Sequence, residues 1–360
     1  MTPSAPVSAP ISIIIPAFNQ LEYCRQCVHS VLLNTDLSYK LVLVDNGSTD
    51  GVSEFFDGVP GATVVHTGRN LGFAAGVNRG LEHAEGHALL LNSDTLVSRG
   101  WLGRLERALR SADDIGMVGP RSNLVSGSQQ IDGLEFTSMG EIDAFAAARA
   151  ESHAGQVRDV ARLVGFCLLI RDKVLAQVGG LDESYGIGNY EDDDYCVLVL
   201  RAGWRLCVAE DAFVFHYGGR TFLGMGIVEE DWRALMDENR RRFEAKWDLK
   251  PGERIDAVQQ ALEVNRRACA ALEAGDVAGA LRLFKDAIAL APHEARHYND
   301  LGVALWQAGD AARAYDHFTR ALRRDPHYAE ARENLRHAAE ALGRAEDARA
   351  LLQRLDSRKD

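Results

Sequence analysis

The sequence predicts an α/β domain with a mostly parallel sheet and helices on both faces, followed by an all-α domain of helical repeats. Between residues 11 and about 122, short apolar runs alternate with helical segments, the pattern of βα units. Beyond Lys250-Pro251-Gly252 strand patterns cease and the chain turns Ala-, Leu- and Arg-rich. There a 34-residue spacing separates Gly275, Gly309 and Gly343, Ala280, Ala314 and Ala348, and Pro292 and Pro326. A length of 360 residues admits two or three domains, and 46% hydrophobic with 26% charged residues is ordinary globular composition, against global disorder or a fibrous protein. The expected boundaries are a tail over residues 1–10, the α/β domain over 11–250 and the helical domain over 251–360.

The opening MTPSAPVSAP lacks a basic region followed by an apolar one, so it reads as a flexible tail and not a signal peptide. Four strands follow in ISIIIPAFN, KLVLVDNGS, ATVVHTG and HALLLNSD, each ending in polar residues. In open α/β sheets the ligand crevice lies beyond the carboxyl ends of the strands, which gathers Asn19, Asp45, Asn46, Arg69, Asn70, Asn92 and Asp94 on one rim. Residues 125–159 read as loops and a helix over the sheet. RLVGFCLLI reads as a further buried strand, EDDDYCVLVLRAG as a helix opening on acidic residues, and RLCVAEDAFVFHYGG as one or two strands ending at a His. The helix EEDWRALMDENRRRFEAKW closes the domain. Six scattered Cys form no disulfide framework, and the CxxC of Cys24 and Cys27 sits in a helix with no second pair, which reads as ordinary helix residues.

In the second domain Phe284 and Phe318, and Ala287 and Ala321, repeat the same shift. Small residues where helices cross, an aromatic in the second helix and Pro at the end resemble the tetratricopeptide repeat, with two good copies and a degenerate third. Gly302, Ala314 and Ala321 let paired helices approach, while Phe318 fills the space between them. Such stacks present a concave surface to a peptide or protein segment, or serve as dimerisation pads.

A formal charge of -12 opposes electrostatic binding of nucleic acid. The longest apolar stretches, residues 164–170 and 88–91, fall short of the roughly 20 residues a spanning helix needs, so no transmembrane segment is expected. The expected location is cytoplasmic, or peripheral at the inner membrane. No G-x-G-x-x-G follows the first strand and no G-x-x-x-x-G-K-[ST] occurs, so no glycine loop cradles a diphosphate. A divalent metal is then the candidate partner for that charge, because hard cations bind through one or two carboxylates plus substrate phosphates. Asp94, ending LLLNSD, is suitably placed.

The segments IPAFNQ, VDNGSTDG, RNLGFAAGVNRG, LLLNSD, GFCLLIRD, LDESYGIGNYEDDDYC and FVFHYGG occur in the order found in inverting family 2 glycosyltransferases of the GT-A fold. The resemblance runs over residues 11–247 and is nearest to bacterial rhamnosyltransferase-like members. It implies that base and ribose lie against Pro16, Ala17 and Asn19, with Asp45 accepting from a pyrimidine or ribose; the other reading of Asp45 is a turn cap in DNGSTD. Asn70, Gly72 and Asn78 resemble the nucleotide-proximal segment. Arg69 would offset phosphate charge or be a solvated surface residue. The resemblance gives Asp94 and His216 to the metal, Mn²⁺ or Mg²⁺, with Asn92 and Ser93 shaping the loop. Asp192 corresponds to the general base, supported by Glu191 and Asp194, whose alternative role is to complement the helix dipole. Asp193 reads as solvated or bridging. Crowded acids should raise at least one proton affinity in this cluster. One departure is Leu198, where the family often carries an Arg.

The implied activity is metal-dependent, inverting transfer of a sugar from a dTDP- or UDP-linked donor, rhamnose favoured, to a hydroxyl of a glycan or protein acceptor. The repeats would recruit acceptor or partner, or mediate self-assembly into a homo-oligomer. One rival is an inactive GT-A scaffold whose repeats bind protein. Another is a sugar nucleotidyltransferase, which would carry a glycine-rich basic loop where this chain has PAFNQ.

Overall fold

Seven residues, ISIIIPA, buried along their whole length, form strand β1 (Ile11–Ala17). β1 pairs in parallel with β2 (Tyr39–Asp45) and β4 (His87–Leu91), and β2 with β3 (Thr63–His66). The intervening crossovers are α1 (Leu21–Asn34), α2 (Val52–Asp57) and α3 (Phe73–Leu81). Because side chains alternate across a strand, Ile13 and Ile15 join Cys24 and Val28 of α1 and Leu102 and Leu105 of α4 (Trp101–Arg110) in one core. Ile14 and Val44 face the other way, toward α3, where a Cβ on Gly80 would lie 2.4 Å from Ile14 Cγ2. Helices therefore cover both faces.

The structure is a computed structural model that describes residues 10–218, 229–247, 249 and 255–356. The expected tail up to Ala9, the second Gly of FVFHYGG and the boundary tripeptide Lys250-Pro251-Gly252 lie outside the described residues. The chain forms two compact units, Met1–Trp247 and Asp248–Asp360.

The second half of the sheet is mixed. β8 (Cys167–Ile170) runs antiparallel between β4 and β6 (Ile115–Arg121), and β9 (Arg205–His216) lies parallel to β6. β5 (Thr95–Val97) and β7 (Val157–Val160) pair antiparallel with β9, giving the order β3-β2-β1-β4-β8-β6-β9-β5 with β7 also on β9. α5 (Met139–Ser152), α6 (Asp172–Val178), α7 (Glu191–Arg201) and α8 (Glu229–Lys246) complete the unit.

Three details differ from the pattern-based expectation. β6 was masked by Gly116, Gly119 and Pro120, and Gly119 is needed because a Cβ there would sit 2.4 Å from Gln129 Nε2. Of RLVGFCLLI only the last four residues are strand; earlier in it the N–H groups of Val164 and Gly165 donate to the side chains of Gln129 and Asp192 instead of a ladder. β9 is one strand whose pairing jumps from Pro120↔Ala209 to Arg121↔Phe213. In the skipped stretch Glu210 accepts from Arg121, Arg149 and Arg158, and Asp211 from Arg107 and the Gly155 N–H, which satisfies two neighbouring buried carboxylates.

The second unit contains α9 (Ile255–Glu273), α10 (Val277–Leu290), α11 (Ala295–Gln307), α12 (Ala311–Arg324), α13 (Ala329–Ala341) and α14 (Ala345–Asp356). Gly275, Gly309 and Gly343 have φ of 83°, 82° and 68°, the left-handed residue that ends the first helix of each pair. Asp276 and Asp310 then cap the second helix by accepting from the N–H groups of Gly279 and Arg313. Ala280, Ala314, Ala348, Phe284 and Phe318 are all buried in one core. A Cβ on Gly302 would lie 2.5 Å from the Phe318 ring. Gly302→Val is thus expected to lower stability by about 1–3 kcal/mol through overpacking. A thermal melt of the full chain with an unshifted midpoint would contradict this packing. No helix among the described residues is long and apolar enough to cross a membrane.

Candidate active site

Between β4 and β5 the chain turns through Asn92, Ser93 and Asp94. The turn is fixed from both sides: Asn92 N–H donates to the Phe166 carbonyl at 2.8 Å, and Thr95 Oγ1 donates to the Asn92 carbonyl at 2.8 Å. Cys27 packs beneath it, its Sγ 3.5 Å from the Asn92 carbonyl. Burial pushes the Cys27 thiol up to about 12 and raises Cys24 and Cys167 as well, so the CxxC holds protonated core thiols.

Pairing of Thr95 with His216 brings the last residue of β9 beside Asp94. Asn123 fixes the His216 backbone by donating to its carbonyl and accepting from its N–H, and the imidazole stacks on Phe166 at 5.2 Å. The imidazole Nδ1 lies 2.8 Å from the Leu124 carbonyl. A carbonyl only accepts, so Nδ1 carries a hydrogen, and the tautomer that can ligate a cation has its lone pair at Nε2. Nε2 is buried without a hydrogen bond, 3.2 Å from Asp94 Oδ1 but out of line for one. A carboxylate oxygen and an imidazole lone pair facing each other, at 4% and 9% residue exposure, suit a shared cation. Among the described residues no group of three or more His, Cys, Asp or Glu is placed to hold a metal ion. The protein would thus supply two ligands and leave the remaining positions to phosphate oxygens and water.

The acidic cluster is delivered by a strained turn. Asn189 and Tyr190 have φ of 76° and 75°, which non-glycine residues rarely adopt. Asn239 of α8 holds them there, its buried Nδ2 contacting the carbonyls of Tyr185, Gly188 and Asn189 at 2.9, 2.9 and 3.1 Å. α7 then starts at Glu191. Asp192 Oδ2 accepts from the Gly165 N–H at 2.8 Å, and its Oδ1 accepts from the Asp193 N–H at 2.9 Å. Glu191 is raised well above the usual carboxylate range, first by burial and then by the charge of Asp192. Asp193 is the bridging acid, paired with Arg162. Asp194 accepts from Lys246 at 2.8 Å, Trp247 at 2.9 Å and Tyr185 at 3.2 Å, and burial still leaves its affinity for a proton raised. Arg162 and Lys246 provide the positive charge that Leu198 does not.

Asp94, His216, Asp192 and Glu191 line a single cavity of about 440 Å³. Pro16, Ala17, Asn70, Gly72, Asn92 and Ser93 share its wall. Gly72 is there for a steric reason: at φ 90° its Cβ would fall 1.9 Å from the Gly186 carbonyl oxygen. The Phe73 N–H also donates to the Ile187 carbonyl, so α3 and the turn before α7 meet backbone to backbone.

Five residues of the sequence-derived set are not on that wall. Asn19 instead ties the end of β1 to the next loop, receiving the Thr49 N–H at 2.8 Å. Asn78 clamps the chain around Leu181, donating to its carbonyl and accepting from its N–H. Arg69 is exposed, its backbone packed under Gly47. Asp194 is turned toward α8. Asp45 accepts from the Ser48 N–H at 2.8 Å and contacts His66 Nδ1 at 3.2 Å. Burial works against the Asp45 anion, but the Ser48 and His66 hydrogen bonds outweigh it and lower its pKa.

His66 also meets Asp57 at 3.0 Å, and these two carboxylates overcome burial to raise its pKa above 6.5. Stability from protonated His66 is therefore full below its unfolded pKa and lost as pH rises through the higher folded value. The ring is 41% exposed, so solvent screening keeps this to well under about 1 kcal/mol. The melting midpoint should fall slightly more between pH 6 and 8 in the native chain than in His66→Gln; equal slopes would show that the pair contributes nothing.

Asn46, named among the polar strand ends, is on the cavity wall, where its carboxamide receives the Leu71 N–H and donates to the Gly72 carbonyl. Phe166, which orients His216, was missed from the sequence and had no signal beyond apolar character.

A profile described as Glycosyl transferase family 2 matches residues 12–148, reaching Asp94 but not Asp192 or His216. Two profiles described as Tetratricopeptide repeat match residues 265–329 and 305–360. Uncharacterized protein Mb1552 of Mycobacterium bovis is 31% identical over 221 residues, covering 59% of this chain and 75% of that protein. N-acetylglucosaminyl-diphospho-decaprenol L-rhamnosyltransferase of Mycobacterium tuberculosis is 26% identical over 233 residues, covering 58% of this chain and 76% of that protein. Against the longer uncharacterized protein y4gI of Sinorhizobium fredii, the 26% identical match over 221 residues covers 58% of this chain and 24% of that protein. Among solved structures, GalNAc-T7 with UDP, GalNAc and Mn²⁺ superposes with a TM-score of 0.47 at 14% identity, covering 59% of this chain and 44% of that one. The first unit is a mixed nine-stranded sheet with helices on both faces and the second is all helical. With the transferase profile over the sheet that carries Asp94, the repeat profiles over the helical pairs, and a 31% identical relative matched over 75% of its length, the chain belongs to glycosyl transferase family 2, a glycosyltransferase with tetratricopeptide repeats in its second unit.

Proposed function

We propose that the protein is an inverting transferase that moves a sugar from a dTDP- or UDP-linked donor, rhamnose favoured, to a hydroxyl of a glycan or protein acceptor. The observation that carries this reading is the convergence of Asp94, His216 and Asp192 on one cavity from three distant parts of the chain. Asp192 accepts the acceptor's proton as that oxygen attacks the anomeric carbon. Its carboxylate is aimed by the Gly165 and Asp193 N–H groups, so little reorganisation is needed. Asp94 and His216 would hold Mn²⁺ or Mg²⁺, which supplies Lewis-acid stabilisation of the departing diphosphate. Pro16, Ala17, Asn70 and Gly72 form the wall against which the nucleotide rests, with Asn92 and Ser93 shaping the metal loop. Asn19, Asp45 and Asn78 act one layer behind it by holding the loops. The rhamnosyl assignment is supported by the resemblance of the motifs and by the named M. tuberculosis relative.

We assign residues 11–250 to catalysis and residues 251–360 to recruitment of acceptor or partner, or to self-assembly. The location that fits is cytoplasmic or peripheral at the inner membrane. Purified protein incubated with a panel of nucleotide sugars and Mn²⁺ or Mg²⁺ should release nucleoside diphosphate from one of them, and chelator should abolish the release. Pyrophosphate release would point to a nucleotidyltransferase. Silence across the panel, without donor binding, would leave a scaffold.

A further inference from the structure

Glu191 sits at the head of α7, next to the base and on the same cavity wall, yet it has no task in the mechanism above. Its residue exposure is 6%, and Oε2 is buried without a hydrogen-bond partner. The backbone N–H groups of Glu191 and Asn189 favour its anion, but burial and the charge of Asp192 outweigh them. No cation is paired with it among the described residues, since Arg162 is committed to Asp193 and Lys246 to Asp182 and Asp194. An ionised Glu191 would put a second buried anion beside Asp192, in a cavity that must also admit a diphosphate. An uncharged carboxyl avoids this and turns an idle acceptor into a donor.

We propose that Glu191 is a further catalytic residue, which holds its proton on Oε2 and donates a hydrogen bond to a sugar oxygen held beside Asp192. The inference rests on the transferase reading of this cavity. Asp192 and Glu191 are then two neighbouring carboxyls with opposite tasks, one accepting a proton and the other donating a hydrogen bond. The difference arises from environment: Asp192 is partly exposed and faces two N–H donors, whereas Glu191 is buried with one oxygen unmatched.

The test uses the full chain with Glu191→Gln and Glu191→Ala. Glutamine keeps a neutral donor of the same length, so kcat should stay within about threefold of wild type, while alanine should lose about 30-fold or more. The wild-type rate should fall at alkaline pH as Glu191 ionises, and the glutamine variant should lack that fall. Difference infrared spectroscopy at neutral pH, which needs no substrate, should show a carboxylic-acid C=O band that disappears in Glu191→Gln. A glutamine variant as impaired as alanine, an alanine variant at wild-type rate, or an unchanged infrared spectrum would each overturn the proposal. Asp192→Asn reports separately on the base: activity surviving that change would sink the transferase mechanism, whereas loss there combined with a dead Glu191→Gln would sink this inference alone.

Discussion

Asp192→Asn is expected to lower kcat by about 10²- to 10⁴-fold, the range for removing a positioned general base. Asparagine keeps an oxygen that can accept from the Gly165 N–H, so the cavity wall should survive and donor affinity should change little. The decisive measurement pairs turnover with calorimetric titration of the donor nucleotide in the presence of Mn²⁺. A variant that binds donor normally and transfers at the native rate would remove Asp192 from the chemistry. One that loses donor binding in parallel would mean that the carboxylate serves the nucleotide and not the acceptor.

Gly72→Ala should be nearly as damaging, for steric reasons. The added methyl would lie 1.9 Å from a backbone oxygen of Gly186, and the φ of 90° disfavours any side chain there. Backbone cannot rotate out of the way, so α3 and the 186–190 turn must separate. We expect a loss of about 1–3 kcal/mol in stability from overpacking. We also expect about 10²-fold in turnover, because displacement of that turn by around 1 Å carries Glu191 and Asp192 with it. Full activity in Gly72→Ala at an unchanged melting midpoint would show that the two backbones do not meet.

These effects follow from features that the chain reveals to different degrees. The strand ends at Asp45, Asn46 and Asp94 were legible because a buried strand is a short apolar run and its polar neighbour marks the rim. The helical pairs were legible because the 34-residue spacing repeats the close contacts themselves: Gly302 meets Phe318, and Gly275, Gly309 and Gly343 each close a first helix. β6 was not legible, since Gly116, Gly119 and Pro120 hide a strand whose glycines exist to admit Trp204 and Gln129. Nor could sequence sort the polar rim. Asn19, Asn78 and Asp45 have the right chemistry in the right place, yet their side chains are consumed by neighbouring backbone groups and His66.

Local sequence alone determined the alternation of elements, the repeat register and the choice of acids and His available for chemistry, because those depend on residue type and short-range periodicity. The meeting of Asp94 with His216, 122 residues later, was decided by the antiparallel pairing of β5 with β9. The raised proton affinity of Glu191 was decided in the same way, by how completely the folded chain withdraws its carboxyl from water. Pairing partners and burial are properties of surfaces brought together from distant segments, so no stretch of residues carries them by itself.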